Sequence, residues 1–233
     1  MTAFEPVENP LLSDSPRAWD DLFQSVGPAS LLVAIESRLG SSLRKVHAAE
    51  DILQEARLHA WDSRATCEWR GVKAFRSWLL SIIDNRIRDA ADRQSAAKRG
   101  GNVPALSLDR APQFDGRAST LARFVTPSAL VESTTPSRLA MYREHAMAMQ
   151  AALQELPDEL RDVVRLRLVE QMSLDEIAQS LGLGVAAVRH RFRKGAELYH
   201  NRLRVSQASR SHDAVAENRE SAPPRKRFSA PDG

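Results

Sequence analysis

The sequence predicts an all-α protein made of two small helical domains, an N-terminal bundle and a C-terminal helix-turn-helix unit, joined by a flexible linker. Three observations carry that prediction. Strand signals are scarce: aromatic residues make up 6% of the 233-residue chain, and apolar–polar alternation is absent over any useful length. Apolar residues instead recur at steps of three and four, the period of an amphipathic helix. Between residues 100 and 137 the composition turns to Gly, Pro, Ser and Thr, which marks a tether rather than a core.

The elements follow in chain order. Residues 1–17 hold three prolines and little apolar content, and read as a disordered leader. Residues 18–99 contain several amphipathic segments. In "AAEDILQEARLHAW", Ala49, Ile52, Leu53, Ala56 and Ala60 share one face, with Glu50, Asp51 and Glu55 away from it. In "AFRSWLLSIIDNRIRD", Phe75, Trp78, Leu79 and Ile82 form a second apolar stripe. Helical order resumes at Arg138, where Leu139, Tyr142, Ala146, Met149, Leu153 and Leu156 follow the same steps. Pro157 breaks that helix and opens the next, which carries Leu160, Val163, Val164 and Leu168. After about Val205 the chain becomes polar and reads as a disordered tail to residue 233.

The stretch "SLDEIAQSLGLGVAAVRHRFRKG" concentrates the chain's chemistry. Ser173 and Glu176 have the spacing of a capping box, Gly182 suits a left-handed helix end, and Gly184 suits the N-cap of the next helix. Two short helices about a three-residue turn describe a helix-turn-helix. On the second helix, Val185, Val188, Phe192, Tyr199 and Leu203 fall on one side. Ala186, Ala187, His190, Arg193 and Lys194 point the other way, with Arg189 and Arg191 on the flanks. A basic face with small residues at its N-terminal end suits the major groove: cations meet phosphates and alanines let the helix approach the bases. With a formal net charge of only +3, such local clustering is what signals nucleic acid.

Two segments together resemble a known family. "LQELPDELRDVVRLRLVEQMSLDEIAQSLGLGVAAVRHRFRKGAELY" is similar to the C-terminal promoter-binding domain of sigma-70-type transcription initiation factors. "AAEDILQEARLHAW" followed by "FRSWLLSIIDNRIRDAADR" is similar to the N-terminal domain of the small, two-domain, extracytoplasmic-function sigma factors. The resemblance covers roughly residues 20–99 and 138–204 and implies a core-polymerase and −10 element domain over 18–99 and a −35 element domain over 138–204. It places Asp51, Gln54 and Glu55 on the helix that docks on core RNA polymerase. Asn85 and Asp89 fall on the helix facing the −10 element. The loop "DSRATCEWRGVKA" lies where the family captures a flipped-out base of the melted non-template strand, so Trp69 and Arg70 beside Asn85 are expected there, with Arg86 and Arg88 on the DNA backbone. Ala187, Arg189, His190, Arg191, Arg193 and Lys194 become the readers of double-stranded −35 promoter DNA. The loop is about two residues longer than usual, and Gly184 and His190 stand where the family often has Ser. An anti-sigma factor is a further partner that the family allows.

The implied function is a specificity subunit that binds core polymerase, directs it to promoters and assists melting. The alternative is a helix-turn-helix regulator acting without stable polymerase association, which would use its N-terminal half for a ligand or for dimerisation. An enzyme is not expected: six scattered histidines lack metal-ligand spacing, Cys67 has no evident partner, and no Gly-rich phosphate loop is present. No cofactor or metal is expected. One cysteine, an acidic N-terminus and no apolar run near ~20 residues point to a cytoplasmic protein without membrane insertion.

Overall fold

The computed structural model describes residues 9–98 and 136–220. They form eight α-helices: α1 (Pro16–Ser25), α2 (Pro28–Arg38), α3 (Ala49–Asp62), α4 (Val72–Lys98), α5 (Pro136–Gln154), α6 (Asp158–Leu168), α7 (Leu174–Leu181) and α8 (Val185–Glu220). No strand occurs among the described residues.

The N-terminal bundle is built around the stripes expected from the sequence. Ile52, Leu53, Ala56 and Ala60 of α3 and Phe75, Leu79, Ile82 and Ile83 of α4 are all buried. At its centre Trp19 meets Trp61 and Phe75 edge-on, with ring centroids 5.4 and 5.7 Å apart, and Trp78 tilts onto Phe75 at 5.7 Å. Offset and edge-on rings are the arrangement that π-quadrupoles favour.

The domain begins earlier than residue 18. A 3₁₀ turn over Pro10–Leu12 buries Leu11, and the Asn9 side chain accepts from the Leu11 N–H at 3.0 Å. Ser15 caps α1 and Pro16 occupies its first position, where a missing N–H costs nothing. Pro16 is thus a helix start and not part of a disordered leader. Residues 1–8 lie outside the described residues.

At the other end α8 continues to Glu220 instead of stopping near Val205. The assigned linker falls almost wholly outside the described residues, and α5 starts at Pro136. Leu168, expected on the buried face of α6, is exposed, and Leu166 is buried in its place.

The two halves pack directly on one another. Leu31, Leu32, Val33, Ala34 and Ile35 of α2 are all buried, a run that covers every side of a helix. One side of α2 meets α3 and α4, and the other meets α5. Tyr142, Ala146, Leu153 and Val169 from the C-terminal half join the same continuous core as Leu31 and Phe75. A smaller core of Val163, Leu166, Ile177, Ala178 and Val188 holds the helix-turn-helix together.

Candidate nucleic-acid interface

The helix-turn-helix forms through the local chemistry its sequence carries. The Ser173 hydroxyl accepts from the Glu176 N–H at 3.2 Å while the Glu176 carboxylate accepts from the Ser173 N–H. Those backbone bonds hold the exposed Glu176 carboxyl below its ordinary range. Gly182 ends α7 at φ 63°, a left-handed conformation that glycine adopts without a Cβ clash. The Gly184 carbonyl accepts the first α8 bond, from the Val188 N–H at 3.1 Å.

This frame turns α8 as expected. Val188 is fully buried and Tyr199 nearly so, with Phe192 and Leu203 packed against the core. Ala186, Ala187, Arg189, His190, Arg193 and Lys194 are exposed. Arg191 is half-buried and paired with Glu159 of α6 at 3.5 Å, so it serves the scaffold as well as the surface. The face therefore presents Arg189, Arg193 and Lys194 as exposed cations beside two exposed alanines.

One residue on α8 went unread in the sequence. Gly195 is buried, and a Cβ there would lie 2.6 Å from Val164 Cγ2 and 3.3 Å from Leu160 Cβ. Its missing side chain lets α8 approach α6 closely and so fixes how the basic face is presented. A glycine in mid-helix, where it costs about 1 kcal/mol against alanine, was the available signal.

In the N-terminal half, Asp51 and Gln54 are exposed on the first turns of α3 and Glu55 is half-buried. Their helix is oriented by the apolar face beneath them. The loop before α4 ends at Gly71, at φ 94°, whose carbonyl accepts from the Phe75 N–H at 3.0 Å. Within it Arg70 pairs with Glu68 at 2.7 Å, and that guanidinium holds the Glu68 carboxyl low. Trp69 is half-buried, its ring 6.4 Å from that of Phe75. On α4, Asn85, Arg88 and Asp89 are exposed, and Asn85 Oδ1 accepts from Arg88 at 2.8 Å.

Two expectations change. Trp69 and Arg70 do not sit beside Asn85. Trp69 rests on Phe75, ten residues and thus about 15 Å along α4 from Asn85 at 1.5 Å per residue. The loop and Asn85 therefore lie at different heights along α4. Arg86, expected on the DNA backbone, is not a freely exposed cation either. Its side chain is 17% exposed, 4.0 Å from Asp89, with a buried Nε that no described group accepts from. It lies near His59, whose pKa is lowered first by burial and then by the Arg86 charge. Arg88 is exposed, as is Arg93 further along α4.

Comparison with known proteins agrees with this geometry. The family model for Sigma-70 region 2 matches residues 29–97, spanning α2 to α4. The family model for Sigma-70, region 4 matches residues 146–197, from the middle of α5 into α8. The chain is 30% identical over 162 residues to the RNA polymerase sigma-H factor of Pseudomonas aeruginosa, covering 68% of this chain and 76% of that protein. It is 28% identical over 153 residues to the ECF RNA polymerase sigma-E factor of Escherichia coli (strain K12), covering 66% and 72%. The chain belongs to the sigma-70 family, in its extracytoplasmic-function group.

It is thus an RNA polymerase sigma factor, not a free-standing helix-turn-helix regulator. Sigma factors are not an enzyme class. Among the described residues, no helix is long and apolar enough to cross a membrane, and no group of His, Cys, Asp or Glu side chains is placed to hold a metal ion.

Proposed function

We propose that this sigma factor divides promoter recognition between its two basic surfaces and docks on core RNA polymerase through α3. The observation that carries the reading is the exposed face of α8. Its cations and alanines are turned outward by a capped helix and a left-handed glycine, and among the described residues Arg189, Arg193 and Lys194 make no ion pair within the domain. Arg189, His190, Arg193 and Lys194 read the −35 duplex, and Arg191 braces the helix against Glu159 while reaching the groove flank. A bidentate Arg–guanine pair discriminates by ~1–3 kcal/mol, whereas phosphate contacts add sequence-independent affinity.

At the −10 element the loop and α4 act at two points. Unstacking a base costs a few kcal/mol, and stacking on an aromatic ring returns ~1–3 kcal/mol per base. The open part of the Trp69 ring, steadied by Phe75, supplies the stacking surface with Arg70 beside it. Asn85, Arg88 and Asp89 contact DNA some 15 Å further along α4. The protein works where core polymerase works, in the cytoplasm, as a non-catalytic subunit.

Polymerase docking through Asp51, Gln54 and Glu55 is tested by charge reversal. D51K/E55K should lower affinity for core polymerase at least tenfold and leave the binding of −35 duplex unchanged. Wild-type polymerase affinity in that variant would contradict the assignment.

A further inference from the structure

The loop before α4 is longer than is usual in the family, and the segment ahead of α1 packs on its first turn. Residues 9–28 precede the part of the chain that the family model for Sigma-70 region 2 matches. Within them the Pro10–Leu12 turn lies against a second 3₁₀ turn, Arg64–Thr66, which opens the loop. Leu11 is 3% exposed and joins the main core. Ordering a turn this short costs more backbone freedom than its few hydrogen bonds return, so the burial of Leu11 is what holds it.

Arg64 ties the two turns together. Its guanidinium lies over the Trp61 ring, 4.0 Å from the centroid. One Nη donates to the Trp61 carbonyl at 2.9 Å, at the negative end of α3, and the other donates to Asp14 at 2.6 Å. The Asp14 side chain is 90% exposed, and an exposed ion pair alone holds little. Here the cation is already fixed against an aromatic face and a helix end, so the carboxylate meets a stationary partner. The far end of the loop rests on the same segment. Trp19 of α1 meets Trp61 and Phe75 edge-on, and Trp69 packs on Phe75. Leu11, Asp14 and Trp19 thus support the loop at its first turn and beneath its tryptophan.

That support bears on the readiness of the loop. A loop that captures an extruded base binds it more tightly when its side chains are already placed, since ordering otherwise has to accompany capture. We propose that Leu11 and Asp14 are positioning residues for promoter opening: with Arg64 they form a brace that holds the loop of residues 63–71 in its base-capturing shape before DNA arrives. The role of the brace rests on the base-capture reading of Trp69, its existence on the contacts above. Both residues act through the loop and not on DNA, so −35 binding through α8 is independent of them.

Cys67, the only cysteine in the chain, lies in the braced loop and supplies a probe that needs no polymerase. It is half-buried, and burial pushes its thiol pKa up, so in a loosened loop it reacts faster with a soluble aromatic disulfide on both counts. In the full chain, L11A/D14A should raise that rate at least fivefold. With core polymerase, the same variant should slow permanganate-detected opening of duplex promoter at least tenfold, keep −35 duplex affinity within twofold of wild type, and recover on a premelted bubble. D14A alters only an exposed side chain and keeps the fold should L11A/D14A lose it; it should change the two rates at least twofold and threefold. L11M/D14E retains both contacts and should restore both rates. Cys67 rates unchanged within 1.5-fold in L11A/D14A and D14A overturn the proposal. So does normal opening by these variants while W69A/R70A is defective, or a loss of −35 binding and bubble activity as large as the loss of opening. Normal opening by W69A/R70A refutes base capture itself, and the Cys67 rates then decide the brace alone.

Discussion

Gly195→Ala sets two effects of known sign against each other. In an exposed helix interior the exchange stabilises by about 1 kcal/mol, because glycine loses more backbone freedom on folding. Here the new methyl would sit 2.6 Å from Val164 Cγ2, 3.3 Å from Leu160 Cβ and 3.4 Å from the Leu160 carbonyl oxygen. Val164 is fully buried and Leu160 nearly so, so neither can swing aside and α8 must lift from α6. Overpacking costs ~1–3 kcal/mol, and a 2.6 Å approach to a buried carbon places this case in the upper part of that range, about 2–3 kcal/mol. The clash outweighs the propensity gain, leaving a net loss of roughly 1–2 kcal/mol. At about 2–4 °C per kcal/mol for a chain of this length, the melting temperature should fall by roughly 2–8 °C. Val164→Ala removes the obstructing methyl, so the double variant should be more stable than the sum of the two single losses by about 1 kcal/mol. Thermal and urea unfolding of the four proteins measures the cycle. Stabilisation by Gly195→Ala, or strict additivity, would refute the close-approach reasoning.

Other consequences are equally open to measurement. Arg189→Ala and Arg193→Ala should each lower −35 affinity, and binding selections separate their roles: a base reader loses preference at one position, whereas a phosphate contact weakens all sequences and shallows the salt dependence. Trp69→Ala with Arg70→Ala should retain closed-promoter binding but fail to melt duplex DNA, with activity partly restored on a premelted bubble; permanganate footprints equal to wild type would sink the base-capture role. His59 carries a sign that can be worked out. Its folded pKa lies below the unfolded value of about 6.5. The unfolded chain therefore takes up a proton that the folded chain refuses, and stability falls as pH drops below about 6.5 until the folded pKa is reached. Asp62, raised by burial, has the opposite slope, in the more acidic carboxylate range. His59→Gln should flatten the decline between pH 7.5 and 5.5, and an unchanged profile would contradict this.

What the sequence made legible was periodicity and local chemistry. The α3 and α4 stripes, the capping box and the two turn glycines of the helix-turn-helix are short-range signals, and each recurs in the structure at its expected residue. What escaped depends on contacts distant in sequence. Arg76 looks like a surface cation within "AFRSW" until α1 and α6 bring their carbonyl ends to it. Gly195 looks like a helix flaw until α6 lies beneath it. The five-residue buried run in α2 is apolar on every side because a second domain covers the face that an isolated bundle would expose. Trp69 and Asn85 seemed neighbours because each matched the same family role, although helical rise separates them. Pro16 is ambiguous in the sequence because proline serves both disorder and the first turn of a helix, and only the Ser15 cap distinguishes the two.

Promoter selection by this polymerase subunit, through the α8 face and the loop before α4, is decided by transcription in vitro. Purified core polymerase, with and without this protein, would transcribe a library of genomic fragments, and the RNA 5′ ends would be sequenced. The expected result is a set of starts absent with core alone, sharing two upstream motifs at fixed spacing; the outer motif should lose its preference at a single position in the Arg189→Ala protein. No new starts, or starts whose upstream motifs are indifferent to α8, would rule out promoter selection by this protein.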